Sequence, residues 1–225
     1  MAKTILLIGA FDTKDVDYAF VRDRILHRGH RVLTVNTGVL GTTDLFPVDI
    51  ESADVAEAGG ANLQSLRTAQ DRGKAMQAMS AGAPKVLRKL FDEGRFDGVI
   101  GLGGSGGSSV ISAAMQALPV GIPKICVSTV ASGDTSAYVG LKDVTLIPSV
   151  VDVAGVNRVS SIVYARAAGA ICGMVEEEVD AEAETGSRPV IAASMFGNTT
   201  QCVDACVQAL GDSGYEVLVF HATGA

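Results

Sequence analysis

The sequence lacks several features that would point to particular classes of protein. It has no tryptophan, few aromatic residues (5% of 225) and three histidines. No apolar run approaches the roughly 18 residues of a membrane-spanning helix, and the apolar start is too short for a secretory signal. The net charge of −7 is unlike that of nucleic-acid-binding proteins, which carry clusters of basic residues. These absences predict a cytoplasmic protein that binds neither membranes nor nucleic acid.

The cysteines also lack the spacing of a metal or redox motif. They are Cys126, Cys172, Cys202 and Cys206, and no two of them form a CxxC pair. Cys202 and Cys206 lie four residues apart on a predicted helix, but zinc requires further ligands. We therefore predict four reduced cysteines that act as small core residues.

The composition favours an α/β fold. The chain has 26 glycines and 48% hydrophobic residues, which suits strands buried on both faces of a sheet. The sequence predicts a βαβ unit at its start. The first strand is the apolar run Thr4–Gly9, the helix covers Val16–Arg28 and stops at Gly29, and the second strand is Arg31–Asn36. We predict a mostly parallel, doubly wound, Rossmann-like sheet.

The remaining segments are consistent with this class. The acidic segment 38–61 predicts a long loop, and 62–93 predicts a helix that is interrupted near Pro84. Further strands are predicted at 96–100, 123–128 and 143–148, and further helices at 110–118 and 157–174.

A change in composition predicts a domain boundary. The segment Glu176–Ser187 is acidic and lacks large apolar residues, as is typical of a linker. After it come a strand at Pro189–Ser194, a helix at Gln201–Leu210 and a strand at Glu216–Phe220. We predict a nucleotide-binding domain over residues 1–185. Residues 186–225 are predicted to be the first βαβ unit of a second α/β domain that continues beyond this chain.

The clearest functional signal is the glycine-rich run Gly101–Ser109, between a predicted strand and a predicted helix. Such a turn presents unpaired backbone N–H groups to an anion. Its glycines allow positive φ and a close approach of the backbone to a ligand, and its serines add hydroxyl donors. The predicted binding residues of this run are Gly103, Gly104, Ser105, Gly106, Gly107 and Ser108. It is not a P-loop, because no lysine follows the last glycine, and its match to GxGxxG is weak. The run predicts a phosphate site of another kind.

Two more polar loops are predicted at the same edge, because the carboxyl ends of parallel strands lie together. After the first strand, Asp12 is predicted to cap the helix or hold Mg²⁺, beside Thr13, and Lys14 to neutralise a phosphate. After a later strand, small polar residues are predicted to contact phosphate or ribose: Ser128, Thr129, Ser132, Gly133 and Thr135. Asp143, Asp152 and Asn157 are candidates either for metal or ribose contacts or for turn capping.

Four motifs carry a resemblance to a known family: GLGGSGGSS, LPVGIPKICVSTVASGDTSAYVG, SVVDVAGVNRV and MFGNTTQCVDACVQALGDSGYEVLVFHATG. They resemble the ATP-binding family named after the tomato mosaic virus resistance protein, over essentially all of the chain. The resemblance implies two α/β domains, ATP binding and self-association as a homodimer or higher oligomer. The first turn reads AFDTKDVDY where the family pattern is close to GTKGxEY; it departs from that pattern but keeps the core Asp12, Thr13 and Lys14.

Three functions remain open. The first is a protein that binds ATP, with or without Mg²⁺. The second is an enzyme acting on a small phosphorylated or carboxylated metabolite at a domain cleft, and the third is a dimeric interaction module that a nucleotide stabilises. Ser105 matches the nucleophile string GxSxG, but only His221 follows it as a possible base. The sequence therefore predicts no catalytic residue and no set of protein metal ligands.

Overall fold

The computed structural model describes residues 1–178 and 187–223. The first compact unit is Met1–Glu177, and a second lies within Glu178–Ala225. The strands of the first unit are β1 (Thr4–Gly9), β2 (Arg31–Asn36), β3 (Gly98–Gly103), β4 (Lys124–Ser128) and β5 (Thr145–Pro148). Its helices are α1 (Phe11–His27), α2 (Ser52–Ala58), α3 (Leu63–Ala69), α4 (Arg72–Asp92), α5 (Ser105–Gln116), α6 (Ser136–Val139) and α7 (Ser160–Glu176).

The five strands form one parallel sheet in the order β2-β1-β3-β4-β5. The chain moves outward from β1 to β2 and then crosses to β3 on the other side, which makes the gap between β1 and β3 a topological switch point. Ligands of open α/β sheets bind outside the carboxyl ends of the strands at such a point. The predicted parallel, doubly wound α/β class is confirmed.

Both faces of the sheet are covered. Leu6 and Ile8 of β1 pack into a core with α2, α4 and α5, whereas Ile5 and Leu7 pack into a core with α1 and α7. Alternate side chains of a strand point to opposite faces, so a strand buried on both faces is apolar throughout. This burial explains why β1 and β2 have the bounds that their sequence predicts.

A buried tyrosine holds the carboxyl ends of β1 and β3. The Tyr18 hydroxyl lies 2.6 Å from the Ile8 carbonyl oxygen and accepts a 2.7 Å hydrogen bond from the Leu102 amide. Burial raises the pKa of Tyr18 well above its usual value, which keeps the hydroxyl protonated and able to donate. Gly9 makes room for this ring, since a Cβ there would lie 1.8 Å from the hydroxyl oxygen.

Helix boundaries differ from the sequence prediction in several places. Helix α4 runs through Pro84, and the break falls earlier, at Gln70, which adopts the left-handed conformation (φ 50°). Asp71 then caps α4 by accepting from the Lys74 amide at 3.1 Å. The loop predicted over 38–61 contains α2, and α4 packs close against it because Gly82 has no side chain: a Cβ there would lie 1.9 Å from the Val55 oxygen.

The second unit is a single βαβ element. It consists of β6 (Val190–Met195), a 3-10 turn (Gly197–Thr199), α8 (Thr200–Asp212) and β7 (Glu216–His221), with β6 and β7 parallel. None of residues 187–223 is buried. The prediction of four core cysteines is therefore wrong for Cys202 and Cys206, which are exposed, whereas Cys126 and Cys172 are buried. A two-stranded sheet with one helix has too little surface to enclose a core.

Two further predictions concern the chain as a whole. The acidic linker falls largely on residues 179–186, which lie outside the described residues. Within the described ranges, no helix is long and apolar enough to cross a membrane.

Candidate functional site

A cavity of about 780 Å³ lies at the carboxyl edge of the sheet in the first unit. Eight of the predicted site residues line it: Lys14, Gly104, Ser105, Gly106, Gly107, Ser128, Thr129 and Ser132. The lining is completed by Arg72, by Pro148 at the end of β5, and by the segment that follows β5, residues Ser149, Val150, Val151 and Asp152. The three polar loops predicted to share one edge therefore do contribute to one cavity.

The N-terminus of α5 opens into this cavity. Gly104 is its N-cap, and no side chain caps the helix. The Ser108 amide makes the first helical hydrogen bond, 2.8 Å to the Gly104 oxygen. The amides of Ser105, Gly106 and Gly107 precede it and have no acceptor within the helix. Three N–H groups and the positive end of a 12-residue helix thus face the space where an anion would bind.

Close packing explains Gly103, and none of the four glycines adopts the positive φ that glycine allows. The positive-φ glycines of the chain do not include Gly103, Gly104, Gly106 or Gly107. A Cβ on Gly103 would lie 2.9 Å from the Ser108 amide nitrogen, because β3 ends directly beneath the first turn of α5. The helix begins at Ser105, within the run that was predicted as a turn, so Gly106 and Gly107 belong to its first turn.

Ser108 lies beneath the cavity and does not line it. Its hydroxyl is 2.6 Å from the Ser128 hydroxyl and donates to the Gly103 carbonyl at 3.2 Å. This bond ties the end of β4 to the start of α5. Burial raises the pKa of the neighbouring Cys126 thiol to about 12, so it stays protonated and unreactive near neutral pH.

Lys14 connects the start of α1 to the loop after β5. It interrupts the helical conformation of α1 (φ −134°, ψ 22°), and its ammonium donates to the Val153 carbonyl. Asp17 fixes the same loop by accepting from the Gly155 amide at 3.0 Å. An ammonium has three donors, so Lys14 retains two for a ligand.

Asp12 and Thr13 line a different, neighbouring cavity. Asp12 does not cap α1, whose N-cap is Ala10 and has no side-chain hydrogen bond; instead it accepts from the Leu40 amide at 2.8 Å. Gly133 and Thr135 line neither of these two cavities. Thr135 is the N-cap residue of the short helix α6.

Sequence reasoning missed five lining residues, Arg72, Pro148, Ser149, Val150 and Val151, whereas Asp152 was among its candidates. Arg72 is the first residue of α4, and a Cβ on Gly106 would lie 3.6 Å from its Nη2 atom. The guanidinium therefore sits over the first turn of α5. In the sequence, Asp71 as the N-cap of a helix would have indicated that Arg72 lies at a helix start. Val150 has an exposed side chain and a positive φ of 67°, unusual for a β-branched residue.

The three remaining acidic and amide candidates have separate roles. Asp152 lines the cavity. Asn157 caps the start of α7, because its side-chain oxygen accepts from the Ser160 amide at 3.0 Å. Asp143 lies 2.6 Å from the ammonium of the fully buried Lys124, at the amino end of β4 and away from the cavity. For Asn157 and Asp143 a structural role is thus the observed one.

The Asp143–Lys124 pair gives a pH-dependent contribution to stability. Burial alone would raise the pKa of Asp143, but hydrogen bonds from Lys124 and the Gly121 amide hold that pKa below its usual value. The stabilisation is therefore present above the ordinary carboxyl pKa of about 4 and is lost as the pH falls through the lowered value. Asp143→Asn is expected to cost about 1–3 kcal/mol near pH 7, since Asp143 is partly solvent-screened, and much less near pH 3.

Urea unfolding near pH 7 and near pH 3 measures this difference. Asp92→Asn is the matched control, because Asp92 pairs with Arg88 at the surface, and its loss should cost less than about 0.5 kcal/mol. An equal cost of Asp143→Asn at both pH values would contradict the electrostatic explanation.

Comparison with known proteins gives two family models and several relatives. Residues 3–180 match the N-terminal domain, and residues 188–225 the C-terminal domain, of the "Uncharacterised protein family (UPF0261)". A UPF0261 protein of Clostridium tetani is 46% identical over all of this chain and 55% of its own length. The ToMV resistance protein Tm-1(GCR237) of Solanum lycopersicum is 38% identical over 98% of this chain and 31% of its own length.

The chain thus spans about half the length of its clostridial relative. Among solved structures, UDP-N-acetylglucosamine 2-epimerase from Rickettsia bellii matches with a TM-score of 0.40 and 13% identity, over 99% of this chain and 62% of that one. That likeness is too distant to bear on function. The resemblance to the family of the tomato resistance protein is confirmed, and the chain belongs to the uncharacterised protein family UPF0261.

Proposed function

We propose that the first unit binds the phosphates of a nucleotide, and of ATP foremost, in the cavity at the carboxyl edge of the sheet. The observation that carries the proposal is the uncapped N-terminus of α5 with two cationic side chains, Lys14 and Arg72, around one cavity. Free helix amides and cations are the groups that proteins use to hold phosphate. ATP is chosen over other nucleotides because the family resemblance implies it.

Local groups must supply the attraction, because the chain carries a net charge of −7. A helix N-terminus acts as roughly half a positive charge, and Lys14 and Arg72 add one each. Of the described residues that line the cavity, Asp152 alone carries a carboxylate. The positive groups therefore outweigh the negative one at the site, in contrast to the protein as a whole.

The polar lining also suits the rest of a nucleotide triphosphate. The hydroxyls of Ser105, Thr129 and Ser132 surround the cavity and can donate to phosphate or ribose oxygens. The Ser128 hydroxyl is already engaged with Ser108 and the Val130 amide. Mg²⁺ is usually held by substrate phosphates and one or two carboxylates, a role that Asp152 could fill.

Gly104→Val is expected to lower the affinity for ATP by at least about tenfold, with less than about 1 kcal/mol change in stability. Gly104 has an extended backbone, and a Cβ there would lie 3.8 Å from the Thr129 hydroxyl, which leaves room for a side chain. The added isopropyl group would instead cover the free amides of α5. Calorimetric titration with ATP and Mg²⁺ measures the affinity, and urea unfolding measures the stability.

Gly133→Val is the matched control. Gly133 lies in the loop after β4 but outside the cavity, and a Cβ there would have its nearest neighbour at 3.6 Å. ATP affinity should stay within about twofold of the unmodified protein. If Gly104→Val bound ATP as tightly as Gly133→Val, the phosphates would not lie at α5.

Self-association remains a prediction from the family resemblance. An enzyme acting on a small metabolite at a domain cleft remains an alternative that does not come from that resemblance. Sedimentation of the chain with and without ATP and Mg²⁺ measures self-association. A mass that does not respond to the nucleotide would count against a dimer that ATP stabilises.

A further inference from the structure

A second cavity adjoins the first one at the switch point of the sheet. It has a volume of about 610 Å³ and lies over the carboxyl ends of β1 and β2, against α3 and α4. Its lining is largely apolar, with side chains from Val39, Leu40, Leu66, Ala75, Met76 and Met79. Such a pocket suits a flat apolar group and not a phosphate.

Arg72 connects the two cavities, because its side chain lines both of them. Met76, one turn later in α4, lies beside the same point: a Cβ on Gly106 would lie 3.3 Å from the Met76 methyl and 3.6 Å from Nη2 of Arg72. An anion bound at the first turn of α5 is therefore adjacent to the wall of the apolar cavity. One ligand with an anionic end and an apolar end is able to occupy both.

Two charged side chains of the second cavity have partners within the protein. Asp71 accepts from the Lys74 amide, and Arg67 donates to the Val39 carbonyl. Asp12 is different: its Oδ2 atom accepts from the Leu40 amide at 2.8 Å, but its buried Oδ1 atom has no hydrogen-bond partner in the part of the chain that the structure describes. Gly38 packs against this carboxyl, where a Cβ would lie 2.4 Å from Cγ. The acceptor is thus fixed and lacks a donor.

We propose that this second cavity binds the adenine of the nucleotide whose phosphates lie at α5, an inference that rests on the proposed function. Adenine is the flat, uncharged end of the nucleotide, and it matches the largely apolar lining of this cavity. The thioethers of Met76 and Met79 supply polarizable contacts for the purine ring. The free amides of α5 and Lys14 lie at the first cavity, and the Asp12 carboxylate lies at the second and repels phosphate. This sets the direction of the ligand: base over β1 and β2, phosphates over β3 and β4.

Methyl NMR of the full chain, labelled with [¹³C-methyl]methionine, tests the placement. ATP is expected to shift the Met76 and Met79 resonances through the ring current of the purine. Inorganic tripolyphosphate is expected to bind without shifting Met79. Buried Met115 and exposed Met174 are internal controls that should not move. Single Met→Leu variants assign the signals.

Ala75→Phe tests the same placement by filling the cavity. It should weaken ATP binding by at least about tenfold and leave tripolyphosphate binding within about twofold. Ala81→Phe, an exposed alanine of the same helix, should change neither. The NMR titration uses the unmodified chain, so poor folding of a variant does not remove the test.

The outcomes separate the two proposals. If ATP binds but leaves Met79 unshifted, or if Ala75→Phe weakens ATP and tripolyphosphate equally, adenine does not occupy this cavity while the phosphate site stands. If neither ATP nor tripolyphosphate binds the unmodified chain, the proposed function fails and this inference fails with it.

Discussion

Alanine at both Lys14 and Arg72 is expected to lower the affinity for ATP by at least about a hundredfold. A charge-assisted hydrogen bond contributes about 1.5–3 kcal/mol, so the two together account for about 3–6 kcal/mol. That range corresponds to roughly two to four orders of magnitude in the dissociation constant. Both side chains line the cavity, and Arg72 lies over the first turn of α5.

The control for this pair is a second pair on the same protein. Lys74→Ala with Lys89→Ala removes the same total charge from two exposed positions of α4. Because exposed charges are screened by salt and water, ATP affinity should change by less than about threefold. If both double variants lost a similar amount of ATP affinity, the net charge of the protein would govern binding, and direct contacts of Lys14 and Arg72 with the phosphates would not.

Lys14→Ala also removes the hydrogen bond to the Val153 carbonyl. That loss should cost about 1 kcal/mol of unfolding free energy and leave the protein folded. Urea unfolding of each variant before the calorimetric titration separates a change in stability from a change in binding.

Gly9→Ala is expected to lower the free energy of unfolding by about 3–5 kcal/mol, a large cost for one methyl group. The new Cβ would lie 1.8 Å from the Tyr18 hydroxyl oxygen and 2.2 Å from the ring carbon that bears it. The ring must shift, and its hydrogen bonds to Ile8 and Leu102 would then be lost from a fully buried position.

Urea unfolding measures this cost against Gly173→Ala. Gly173 lies in α7 with nothing within 4 Å of an added Cβ, so that change should be neutral or stabilising by up to about 1 kcal/mol. Tyr18→Phe alone should cost about 1–3 kcal/mol, and less when Gly9→Ala is present, since the hydroxyl is already displaced there. Full additivity of Gly9→Ala and Tyr18→Phe would contradict the proposed contact.

Much of the fold could be predicted because its strands are buried on both faces. Burial makes Ile5–Ile8 of β1 a continuous apolar run and places Val32, Leu33 and Val35 of β2 against the two cores. The structure reproduces the predicted bounds of both strands. Helix ends were less predictable because they depend on contacts distant in sequence. Helix α4 continues past Pro84 while packed against α2 and α5, and its start at Arg72 follows a left-handed residue, Gln70, that no turn motif signals.

The sequence predicted at which edge of the sheet the candidate site lies, but it did not predict which residues line the same cavity there. The rule for parallel sheets brought the loops after β1, β3 and β4 together. That rule did not predict that Asp12 and Lys14 line different cavities, as they do in the structure. Side chains two positions apart on a helix point in directions roughly 200° apart, which would have suggested it. The same rule does not predict Arg72, since Arg72 belongs to a helix that follows no strand directly.

A crystal structure of the chain with ATP and Mg²⁺ tests the central claim most directly. We expect phosphate oxygens at about 2.7–3.2 Å from the amide nitrogens of Ser105, Gly106 and Gly107, with Lys14 and Arg72 on either side. A triphosphate bound elsewhere, with these amides facing only water, would contradict it.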